Sequence, residues 1–362
     1  MGNKIIQVGV IIVSLLLLTS CATTAVIPPT STTSTTSSST TTTSTGTTSS
    51  TTTSTTTTTT TTSTTLPIPT ATGDLYNYLT AEVVAYMPGS GEGVYVEPTA
   101  NAKAEFKTII NNIYNHNYSA ARAAALTINY DLTYFTDIYN SLSYYILREN
   151  TPISQGWGTY IFNPRLFKAG TASSNTIEIT VAAPHPLSDT NTERIALELF
   201  RQGNRTNTLR QTVAYMLAGT HRYCTYQGGE WISDVAHNAN SIFQAVHEEI
   251  MALTIEEVIQ IHGFSATAHP GYPSIVLSNG TPSYPSQFTN LKAVFESPTY
   301  SIDTGIYDGT TWEALGATTN VQAISAEGKA VFYHTEITNA LRIPYPSANS
   351  TKLINALLQY WE

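Results

Sequence analysis

From Thr30 to Thr65 every residue is Ser or Thr apart from Gly46. Such a tract has no apolar side chains to bury, so nothing offsets the entropy of ordering it, and it is expected to stay a solvated coil. Its ends would lie roughly 35 Å apart as a coil, and it could reach on the order of 120 Å if fully extended. Any packed structure must therefore come from the residues beyond it. The stretch from about Leu66 to Glu362 is long enough for one substantial domain with a single core.

Ahead of the tract, Lys4 precedes an apolar run from Ile5 to Leu18 that only Gln7, Gly9 and Ser14 interrupt. That run is short for a membrane span and suits the core of a signal peptide. The adjoining "LTSC", Leu18 to Cys21, resembles the lipobox of bacterial lipoproteins, in which the cysteine is lipidated and becomes the first residue of the mature chain. The resemblance implies a signal peptide over 1–20, a tether over 21–66, and an extracytoplasmic domain held to the cell envelope by lipid on Cys21. Membrane contact would then be through the anchor alone. With 16 basic against 25 acidic residues, a formal net charge of −9, there is no basic patch to displace phosphate counterions, which excludes nucleic acid as a partner. Lipidation of Cys21 leaves Cys224 as the only thiol, so no internal disulfide can form. Its context, "HRYCTYQ", suits a packed thiol rather than a nucleophile.

Along the domain, helical spacing covers 74–88, 100–114 and 118–127, and "YFTDIYNSLSYYILRE" is read as continuing that helical layer to about 149. This gives an N-terminal helical layer over 67–150 and a core over 151–362. A short strand is expected at 159–162. Strands at 176–183, 213–218, 256–261, 273–278 and 329–337 then alternate with helices at 190–202, 240–252 and 286–296. The pattern predicts an α/β domain with a mixed, largely parallel sheet flanked by helices.

In such sheets ligands bind beyond the carboxyl ends of the strands. Polar residues recur there: His185 after the first core strand, "GTHR" (Gly219 to Arg222) after the second, His262-Gly263 after "EEVIQI", and Glu336 near the end of the last. Each has an ordinary explanation on its own. "TNTE", Thr190 to Glu193, fits a capping box with Thr190 as N-cap and Glu193 reaching back. Histidines after strands are commonly hydrogen-bonded loop residues. Together, however, imidazole and carboxylate are the donors of a catalytic zinc with three protein ligands and an open position. The helical two-histidine zinc motif is absent, because "HEEIM" from His247 ends in Met251.

The pieces "VAAPHPLSDTNTE", "VIQIHGF" and "VFYHTEITNALR", spanning roughly 176–342, resemble in order and context the zinc-dependent carboxypeptidase-like hydrolases. The resemblance is strongest to the poly-γ-glutamate hydrolase and N-formylglutamate amidohydrolase branches. It implies a carboxypeptidase/phosphorylase-hydrolase-like fold. It also implies zinc held by His185, a carboxylate and His262, with Glu336 as general base. Spacing and glycine content differ from the poly-γ-glutamate hydrolase pattern in the first piece, which leaves Asp189 or Glu193 as the carboxylate. Asp189 is preferred because a capping box would occupy Glu193. Arg222 could fork onto a substrate carboxylate or serve as a structural ion-pair partner. Asp234 and His237, ahead of a helix, could support the site from behind or cap that helix.

The function these readings imply is hydrolysis of peptide, γ-glutamyl or N-acyl-amino-acid bonds in carboxylate-bearing small molecules, peptides or polymers. Two other classes fit the same residues. A non-catalytic binding lipoprotein would take up metal or ligand without cleavage. A structural surface protein would hold no metal at all.

Overall fold

The structure, a computed structural model, describes residues 65–165, 167, 177–203, 210–253 and 257–362. Cys21, the apolar run before it and the tract up to residue 64 lie outside them. The described chain opens with strand β1 (Thr70–Gly73) and helices α1 (Leu75–Tyr78), α2 (Ala100–Tyr114) and α3 (Tyr118–Leu126). A hairpin of β2 (Tyr130–Asp137) and β3 (Leu142–Glu149) comes after them, then β4 (Thr159–Phe162) and β5 (Ile177–Ala183). Next are α4 (Thr192–Gln202), β6 (Arg210–Leu217), the short β7 (Tyr226–Gln227) and β8 (Glu230–Trp231), α5 (Ile242–Leu253) and β9 (Glu257–Phe264). The chain ends with β10 (Ile275–Ser278), α6 (Ser286–Glu296), β11 (Thr304–Ile306), α7 (Val321–Ala326), β12 (Val331–Thr338), α8 (Asn339–Arg342) and α9 (Ala348–Trp361).

Ten strands form one mixed sheet in the order β1-β2-β3-β4-β6-β5-β9-β12-β10-β11. Its centre, β6-β5-β9-β12, is parallel throughout. Those four strands therefore end on one edge, and the segments leaving them gather there. Side chains alternate across the sheet. Ile179, Val181, Ile259, Ile261, Tyr333 and Ile337 pack one face against α4, α6 and α9. Ala182 and Met216 face the other way, toward α2, α3 and α5, while Val258 and Phe332 pack under α7. The result is a three-layered α/β fold.

The helical layer expected over 67–150 is correct at α1, α2 and α3 and wrong at 130–149, where β2 and β3 pair antiparallel. "YDLTYFTD" and "LSYYILRE" are rich in aromatic and β-branched residues, and Tyr130, Leu132, Phe135 and Asp137 bury toward alternate faces of the sheet. Ser141, at φ 58°, closes the turn. Helix α9 was not anticipated, although Ser347 caps it and Leu353, Ile354, Leu357, Leu358 and Trp361 form a buried helical stripe.

Candidate metal centre

β5 runs out at Ala183, and two residues later His185 stands at the parallel edge, buried. The loop then makes one turn, with Asp189 N–H donating to the His185 carbonyl, so Asp189 returns beneath the imidazole. Asn191 adopts φ 71°, which aims the chain into α4. Among the described residues α4 has no side-chain N-cap. The expected capping box is thus not formed: the helix begins at Thr192 with Asn191 as N-cap, and the Thr190 carbonyl accepts Arg342 Nη1 at 2.7 Å.

β9 and β12 are parallel neighbours in a register that places His262 beside Glu336 and Gln260 beside His334. By alternation all four project from the same face, toward α5 and α7. Near the strand starts that face is apolar, with Val258 and Phe332. Toward the carboxyl ends it turns polar.

His185 Nδ1 lies 3.3 Å from Asp189 Oδ2, and His262 Nδ1 lies 3.7 Å from the same oxygen. The ligand atoms of these three residues fall within 4.8 Å of one another. Each imidazole turns its other nitrogen outward: His185 Nε2 to Asp234 Oδ1 at 2.8 Å, His262 Nε2 to Gln260 Oε1 at 2.7 Å. Asp189 Oδ2 also accepts the Gly263 N–H at 3.1 Å, which ties the loop after β5 to the end of β9.

The charges result from this packing. Burial opposes ionisation of Asp189, yet its contacts with His185 and His262 hold it well below the usual carboxylate range. Burial likewise opposes a charge on His185, but Asp189 and Asp234 on either side outweigh it and raise the imidazole to about 9. Burial takes His262 down to about 4, and takes His334 well below its ordinary value with help from the neighbouring histidines. Burial, then the Asp189 carboxylate, pushes Glu336 up to about 8. At neutral pH these shifts set a carboxylate at Asp189 against a protonated His185 and a neutral His262.

Around it, Asp234 Oδ2 accepts Arg222 Nε at 2.9 Å and Nη2 at 2.5 Å, and Asp234 Oδ1 lies 3.1 Å from His237 Nδ1. Asp234 thus supports His185 and orients both Arg222 and His237. Glu336 Oε1 lies 3.6 Å from His334 Nε2, and among the described residues its buried Oε2 has no hydrogen-bond partner. Arg342 donates to the carbonyls of Thr190 and Ile337. A cavity of about 240 Å³ opens onto His185, Arg222, His237, His262, His334 and Glu336.

Of the sequence candidates, the structure brings together His185, Asp189, His262, Glu336, Arg222, Asp234 and His237. Glu193 is elsewhere, buried in the first turn of α4 beside Arg194. His334 was missed. Its signal was the "HTE" spacing, since two residues apart on a strand means the same face as Glu336. Gln260 was missed in the same way, two residues before His262.

No family profile matches the chain, and no curated protein sequence matches it. Solved structures with partial likeness include N-formylglutamate amidohydrolase from Ralstonia eutropha, at 10% identity over 52% of this chain and 92% of that one, TM-score 0.34. They also include a metallo-carboxypeptidase from Burkholderia cenocepacia, at 13% identity over 68% of each chain, TM-score 0.37. A third is N-acetylmuramoyl-L-alanine amidase from Clostridium difficile, at 12% identity over 52% of this chain and 95% of that one, TM-score 0.30. Likeness of this extent leaves function to be read from the site's own residues.

Proposed function

We propose that the protein is a zinc-dependent amide hydrolase acting on carboxylate-bearing substrates, through peptide, γ-glutamyl or N-acyl-amino-acid bonds, and held at the cell envelope by lipid on Cys21. The observation that carries the reading is the convergence of His185 Nδ1, His262 Nδ1 and Asp189 Oδ2, with the outer nitrogen of each ring already facing an acceptor. Two imidazoles and one carboxylate match in type and number the protein ligands of a catalytic zinc. Zinc held there would supply Lewis acidity toward a carbonyl and acidify water.

The chain's own groups do the rest. Glu336, buried and with one oxygen unpartnered among the described residues, takes up the proton of the attacking water and returns it to the leaving amine. Positive charge at the centre would lower its carboxyl from the value burial imposes toward neutrality. Arg222 lines the cavity with Nε and Nη2 on Asp234 and Nη1 3.4 Å from His185 Nδ1, which holds the guanidinium at the cavity wall, where it would meet a substrate carboxylate. His237, half exposed beside it, presents its ring to the same space.

Elemental analysis of the purified full-length protein should find zinc near one equivalent. Glu336→Gln should keep that zinc and the fold while losing roughly 10²–10⁴ in turnover on acyl-amino-acid or γ-glutamyl substrates. Near wild-type turnover in that variant removes Glu336 from the mechanism. A zinc-loaded parent that cleaves nothing in a broad peptide and amide panel would be a binding lipoprotein instead.

A further inference from the structure

We propose that Gln260, held by Asn320 and Gln322, fixes His262 as its Nε2–H tautomer and so keeps the Nδ1 lone pair turned toward the metal centre; the metal half of this rests on the zinc reading of that centre. An amide side chain can ordinarily be turned either way, but here its sense is set by backbone groups that can act in only one sense.

The Val235 carbonyl can only accept, so it takes a hydrogen from Gln322 Nε2 at 2.9 Å. That leaves Gln322 Oε1 facing Gln260 at 3.1 Å. Independently, Asn320 Oδ1 accepts the N–H groups of Gln322 and Ala323 at the start of α7, both at 3.0 Å. Asn320 Nδ2 must then be the atom facing Gln260, at 2.6 Å. Gln260 meets an acceptor on one side and a donor on the other. Only one orientation satisfies both: Nε2 to Gln322, Oε1 to Asn320. The same Oε1 faces His262 Nε2 at 2.7 Å, so that nitrogen must carry the hydrogen.

Further anchoring runs in the same sense. Gln322 Nε2 also donates to Gln244 Oε1 at 2.9 Å, and Gln244 Nε2 donates to the Glu248 carboxylate at 3.0 Å. Gln260, Asn320 and Gln322 are all buried, where a reversed amide would set like groups against each other away from solvent. Behind His185 the acceptor is a carboxylate, Asp234. The amides supply one for His262 without adding a second negative charge behind the centre, and Asn320, which also lines the cavity, ties that wall to the ligand.

The test uses the full-length protein labelled with ¹⁵N at histidine, with long-range ¹H–¹⁵N spectra at pH 7.5 and a zinc titration. Metal-free wild-type protein should show His262 as the Nε2–H form, and the Nδ1–H form overturns the proposal whatever zinc does. Asn320→Asp keeps the oxygen that caps α7 and replaces the donor with an acceptor. Gln260 then has an acceptor on each side, and the carboxylate, the stronger of the two, should take its Nε2, move His262 to the Nδ1–H form and weaken zinc binding about 10- to 100-fold. Weakened binding without a change of tautomer overturns the proposal and leaves Asn320 as structural support. If that variant does not fold, Gln260→Glu, which retains an acceptor toward His262, should keep the Nε2–H form, and a switch there overturns the proposal. An Nε2–H His262 in wild-type protein that takes up no zinc supports the tautomer assignment and sinks the metal reading alone.

Discussion

Asp189 and Glu193 lie four residues apart, and their surroundings treat them in opposite ways. Asp189 faces two histidines and a backbone N–H and is held as a carboxylate. Glu193 has Arg194 Nε 3.4 Å from one oxygen, but burial outweighs that contact and raises its carboxyl to about 7. The unfolded chain would ionise it near 4.5. Its contribution to stability is therefore full below that pH, falls as pH rises through about 7, and amounts to roughly 3 kcal/mol in all at 1.36 kcal/mol per pKa unit. Glu193→Gln should lack this slope. Denaturant unfolding of the two proteins at pH 5 and pH 8 should show the variant gaining on wild type as pH rises, and a constant offset would show that Glu193 is not held neutral. The same variant should keep its zinc, whereas Asp189→Asn should lose it. From sequence alone the two carboxylates could be ranked only by a capping argument that the structure does not uphold, because φ at Asn191 and the course of Arg342 are tertiary facts.

At the scale of elements, β9 and β12 were the most legible part of the molecule. "EVIQIHGF" and "VFYHTEIT" alternate so that one face sends Ile259, Ile261, Tyr333 and Ile337 into the core while the other turns from Val258 and Phe332 to His262 and Glu336, and that change of character marks the site. The β2–β3 hairpin was illegible because its apolar residues are dense enough to satisfy a helical spacing as well as an alternating one. His334 and Gln260 were hidden for a different reason. Their importance depends on strand register, and register is fixed by pairing across the sheet. Gly263 shows how tightly that register is drawn. A Cβ there would lie 2.6 Å from Arg342 Cζ, and Arg342 is buried while holding the carbonyls of Thr190 and Ile337. Gly263→Ala should displace the guanidinium, cost about 1–3 kcal/mol by overpacking, and loosen the loop that carries Asp189. Chemical denaturation and zinc titration of the variant should show both losses. Intact zinc affinity would mean that Arg342 does not brace the loop.

For the whole molecule, the sequence combines a Ser/Thr tract with nothing to bury and a domain whose histidines and carboxylates gather beyond the parallel edge of a mixed sheet. No helix among the described residues is long and apolar enough to cross a membrane. If Cys21 carries the anchor, Cys21→Ser should move the protein out of the membrane fraction, and detergent-dependent retention would point to a different attachment. Metal and fold should also be coupled, because His185 and Asp189 arrive on the loop after β5 while His262 arrives on β9. An ion seated among them would join two neighbouring strands and bind only the folded chain. At free zinc a hundred times the dissociation constant, that linkage stabilises the fold by about 2.7 kcal/mol. Chelation should therefore lower the melting temperature of the wild-type protein by several degrees. His262→Ala, with one ligand gone, should melt lower from the outset and respond little to the chelator. Thermal scans of both proteins with and without chelator separate the possibilities. A wild-type protein that loses its zinc without losing melting temperature would place the ion somewhere other than between these two strands.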